Sequence, residues 1–73
     1  MSAEIVKIEK VDNTVIMLGR YTGVSGSCFY RCTVRDADGY KKDSDIVKNL
    51  HEGISLFQGT VKDLQNHVLP DWM

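Results

Sequence analysis

Two turn dipeptides, Asp12-Asn13 and Asp38-Gly39, constrain this chain more than anything else in it. Both tolerate the positive φ that tight hairpins demand, and Asp-Gly is the stronger signal. The segments around them mix β-branched and charged residues in loose alternation, the period of a half-buried strand. Strands are therefore expected over about 4–11 and 14–22, the second more apolar and so central, with Gly19 marking a bulge or a close backbone approach. The flexible run Gly23–Ser27 (GVSGS) is a loop, and strands follow at about 28–36 and 40–42. A two-residue turn at Asp38-Gly39 would set Asp36 opposite Lys41, a favourable charge pair.

The second half changes period. Ser44 or Asp43 can cap a helix over about 44–52, with Gly53 as its stop. Thr60-Val61-Lys62-Asp63 resembles a capping box, and Val61, Leu64 and Val68 keep helical spacing over about 60–69, up to Pro70. Between them, Ile54–Gln58 reads equally as strand or helical turn. The fold class is α+β: a small antiparallel meander of three or four strands packed by one or two C-terminal helices. A five-stranded β-barrel with a C-terminal helix is the alternative.

A chain of 73 residues is expected to form a single domain, and one this small has marginal stability. The longest uncharged apolar run, Val15–Leu18, is far too short to span a bilayer, and the opening MSAEIVKIEK lacks the apolar stretch of a leader peptide. A cytoplasmic protein with no membrane partner is expected. Net charge is −1, split as +2 over residues 1–35 and −3 over residues 36–73, too weak an asymmetry to mark a nucleic-acid domain.

The stretch SCFYRCTVRD, Ser27–Asp36, carries both cysteines of the chain. On a strand, Cys28 and Cys32 share a face with Cα atoms roughly 13 Å apart, too far for a disulfide or a shared zinc. Neither their spacing nor that of His51 and His67 fits a metal site, so no metal or cofactor is expected. The cysteines read instead as small buried hydrophobes in a core-facing row with Tyr30 and Val34. The other row, Phe29, Arg31, Thr33 and Arg35, falls on the open side of the sheet. It is either an ordinary solvated face, with Arg31 and Arg35 paired to carboxylates such as Glu4 or Glu9, or a binding strip.

Catalytic chemistry is not legible. Asp36-Ala37-Asp38-Gly39 starts like a calcium loop, but Tyr40 and Val47 stand where later oxygen ligands belong. His51 suits a helix end, His67 flanks an apolar stripe, and no nucleophile with its base or phosphate loop can be assembled. Elimination leaves a non-enzymatic regulator that covers part of a larger protein machine, as phage-encoded modulators of host RNA polymerase or nuclease complexes do. Its expected contacts are Phe29, Arg31 and Arg35, with Lys41, Lys42 and Trp72 nearby. Trp72, one residue from the end, either docks on the domain or anchors a partner. A homodimer would suit so small a domain. The alternative is a weak nucleic-acid-binding module on the same face, against which stand the missing aromatic-glycine signature and the lack of a second aromatic strand.

Overall fold

A computed structural model describes residues 2–73. The alternating half forms β1 (Ser2–Val11), β2 (Thr14–Thr22), β3 (Cys28–Arg35) and β4 (Lys41–Asp43), followed by one helix, α1 (Leu50–Gln65). The strands pair antiparallel in chain order, giving an open four-stranded sheet and not a closed barrel. Asp12 takes φ 54° in the first hairpin, as the turn dipeptide demands.

Register sorts the side chains. Ile16 lies opposite Val34 and Leu18 opposite Cys32, and all four are buried with Tyr30 beneath Phe57 of α1. Burying each large aliphatic or aromatic side chain is worth about 1.5–3 kcal/mol, so this single layer holds the domain together. Gly53 lets α1 sit close: a Cβ there would lie 3.1 Å from Tyr30 Cβ and 3.3 Å from Leu18 Cδ1. Among the described residues no helix is long and apolar enough to cross a membrane.

The two expected helices are one, displaced from both predicted spans. Ser44 does not cap a helix, because the sheet uses it: its N–H donates to the Cys32 carbonyl at 2.8 Å, and its Oγ accepts the Cys32 N–H at 3.0 Å. Val47 then pairs with Tyr30 in an isolated bridge, which keeps residues 44–47 out of a helix. The true cap is Asn49, whose Oδ1 accepts from the Glu52 N–H at 2.8 Å while its Nδ2 donates to Glu52 Oε1 at 2.9 Å. Gly53 is no stop but a contact point, and Ile54–Gln58 is helical. The helix ends at Gln65, short of the expected 69. There His67 turns to φ 58°, and the Val68 N–H reaches back to the Asp63 carbonyl at 2.7 Å.

The second hairpin also departs from expectation. The Asp36 N–H donates to the Tyr40 carbonyl at 3.0 Å, leaving Ala37-Asp38-Gly39 as a three-residue loop with Gly39 at φ 90°. Asp36 Oδ1 accepts the N–H groups of both Asp38 and Tyr40, each at 2.9 Å. The extra residue shifts the register, so Lys41 faces Arg35 rather than Asp36.

Candidate functional site

The helix covers one side of the sheet and leaves the other open. Four cross-strand rows make up the open side. Lys10, Val15, Arg35 and Lys41 form the first; Ile8, Met17, Thr33 and Asp43 the second; Ile5, Gly19 and Arg31 the third; Ala3, Tyr21 and Phe29 the last. A bulge at Ile5–Lys7 reverses the alternation of β1, which brings both Ile5 and Ile8 to this side. They stay 61% and 58% exposed, unusual for isoleucines that are neighbours on one face.

The aromatic row is ordered. Tyr21 and Phe29 stack with ring centroids 5.4 Å apart and planes 15° from parallel. The Tyr21 ring leans along the strand over Gly19, where a Cβ would lie only 3.0 Å from its hydroxyl and Cε2. Gly19 is thus a close-approach glycine, and the bulge lies opposite it on β1. Between Ile5, Met17, Gly19, Tyr21 and Thr33 the surface sinks into a depression of about 190 Å³.

Charge is segregated onto this side. Among the residues placed by strand pairing, four cations, Lys10, Arg31, Arg35 and Lys41, stand there against one carboxylate, Asp43, a local +3 on a chain of net −1. Asp43 is already engaged, accepting from Thr33 Oγ1 at 2.6 Å. Arg31 and Arg35 do not pair with Glu4 or Glu9: the single ion pair among the described residues joins Glu4 to Arg20 on the helix side. Arg31 Nε is buried with no hydrogen-bond partner among the described residues. Arg35 and Lys41 face each other directly, a like-charge pair that costs about 0.2–1 kcal/mol unless an anion joins it.

Of the residues expected at the site, Phe29, Arg31, Arg35 and Lys41 come together. Lys42 does not, because it lies opposite Val34 and so on the helix side. Trp72 does not either. It packs against the core, and its Nε1–H donates to Thr60 Oγ1 at 2.9 Å, across the helix from the open face. Ile5, Ile8 and Met17 were missed, and Tyr21, legible only as an extension of the strip at Arg20-Tyr21, belongs to its centre. The alternation of β2 opposes Tyr21 to the buried Leu18, which is the signal that would have found a second aromatic strand.

The cysteines separate in fate. Cys32 is buried, and burial pushes its thiol up to about 11, the Thr60 hydroxyl offsetting part of the rise. Cys28 is exposed rather than buried, because it opens β3 opposite Thr22 at the sheet's end; its Sγ lies 3.6 Å from Thr22 Oγ1. Two further grooves, about 340 and 360 Å³, share Thr14, Leu64 and Leu69 near the helix C-terminus. His67 lines the first and Asp36 with Tyr40 the second, and in neither does a nucleophile meet a base. Among the described residues no cluster of three or more His, Cys, Asp or Glu is placed to hold a metal ion. No family model matches this chain, and neither a curated protein nor a solved structure matches it.

Proposed function

We propose that this protein is a binding module without catalytic chemistry of its own, which regulates a larger protein by covering part of its surface with the open sheet face. One observation carries the reading: exposed Ile5 and Ile8, with Met17, Tyr21 and Phe29, form an apolar centre bordered by four cations that have no carboxylate partner among the described residues. Isolated exposed hydrophobes are ordinary, but a contiguous apolar patch with a charged border marks an interaction surface. Aromatic and arginine side chains are the usual anchors of such surfaces. The matching partner surface is apolar at its middle and acidic where it meets Arg31, Arg35 and Lys41. Docking there relieves the Arg35–Lys41 repulsion and satisfies Arg31, so binding is favoured by removing costs the free protein carries.

The test is paired affinity capture with wild type, an Arg31→Glu/Arg35→Glu variant, and a Lys62→Glu control on the exposed surface of α1. The face variant loses its partner while the control keeps it. Equal retention by all three contradicts the assignment of the face.

The Tyr21–Phe29 stack beside Arg31 favours a second reading, in which the same face holds single-stranded nucleic acid by stacking and phosphate contacts. With four cations, such binding falls steeply as salt rises. An oligonucleotide titration at low salt that gives no shift removes this reading and leaves the first intact.

A further inference from the structure

We infer that two copies of this chain pair along the free edge of β1, around a two-fold axis at Ile8, to make one continuous eight-stranded sheet. The inference is independent of what the open face binds. The two edges of the sheet are unequal. β4 is three residues long, and so short a strand offers a partner almost nothing to pair with. β1 is ten residues long, has no proline, and leaves the backbone groups of its outer side without a strand to pair with.

Register then selects the axis. Residues that face each other across an antiparallel pair lie on the same side of the sheet, so in a regular strand the two-fold axis must pass a residue paired with itself. Beyond the bulge, the straight run of β1 offers Lys7, Ile8, Glu9, Lys10 and Val11 as centres. Three of these set like charges against each other at the axis. Ile8 and Val11 avoid it, but Val11 is the last residue of the strand before the turn at Asp12, so Ile8 alone leaves strand to pair on both sides. This centre also places Lys7 against the partner's Glu9, and Glu9 against the partner's Lys7. Both side chains are exposed, and within the chain neither has an ion-pair partner among the described residues. On the open side Ile8 meets the partner's Ile8, covering two isoleucines that are each 58% exposed in the single chain. An axis perpendicular to the sheet keeps both helices on one side and joins the two open faces into one.

The experiment is sedimentation equilibrium of the full chain from micromolar to millimolar concentration, with wild type, Lys7→Glu, Glu9→Lys and the double reversal. Each single reversal replaces two opposite-charge pairs by two like-charge pairs and is expected to weaken the dimer about tenfold, and the double reversal restores it. A second measurement does not depend on those variants. In a Cys28→Ser background, Ile8→Cys cross-links to itself on oxidation and Lys10→Cys does not, because only residue 8 sits on the axis. A chain that stays monomeric throughout, a dimer indifferent to the single reversals, a double reversal as weak as the singles, or cross-linking at position 10 instead of 8 overturns the inference.

Discussion

Glycine at position 53 looks like a helix terminator and is instead the point where helix meets sheet. A methyl group there would press on Tyr30 Cβ at 3.1 Å, a buried atom next to the backbone with little room to retreat. Gly59, two turns on, has nothing within 4 Å of the same construction. The two glycines of one helix therefore respond oppositely to the same change. Gly59→Ala stabilises by about 0.5–1 kcal/mol because alanine costs less backbone entropy. Gly53→Ala gains the same propensity but overpacks the contact, for a net loss of about 1 kcal/mol or more. Urea denaturation of both variants checks this, and a stabilised Gly53→Ala would mean that the helix does not rest on Tyr30.

At the scale of elements, the strands were legible and the helix was not. Turn dipeptides and alternation place strands within a residue or two, because each strand answers to its own two faces. The helix start was misread because Ser44 is a good cap in isolation, and nothing local reveals that Cys32, twelve residues back, has taken both its N–H and its hydroxyl. Asn49-Leu50-His51-Glu52 carries the reciprocal capping pattern in plain view, yet the glycine that follows argued against a helix beginning there. The expected effect of Asn49→Ala is a loss of about 1 kcal/mol, read by thermal unfolding at neutral pH. Ser44→Ala acts differently, since it orphans the Cys32 amide inside the sheet rather than fraying the helix.

Over the whole molecule, the candidate face was half legible. The alternation of β3 correctly sets Phe29, Arg31 and Arg35 apart from the core row, because a strand's period is exact. The contribution of β1 was hidden by the bulge at Ile5–Lys7: without it, Ile5 and Ile8 would point to opposite sides. Lys41 joined the face for a reason other than sequence proximity, namely that the three-residue loop shifts β4 by one position. What the fold adds is segregation. One side of the sheet is spent on the helix, and the other gathers apolar side chains and a local +3 that net charge conceals. The most direct test of that face is methyl NMR of the chain with and without its captured partner. Ile5, Ile8 and Met17 are expected to shift or broaden while Val68 and Leu69, at the opposite end of the helix side, stay unchanged; perturbation confined to Val68 and Leu69 would contradict the assignment.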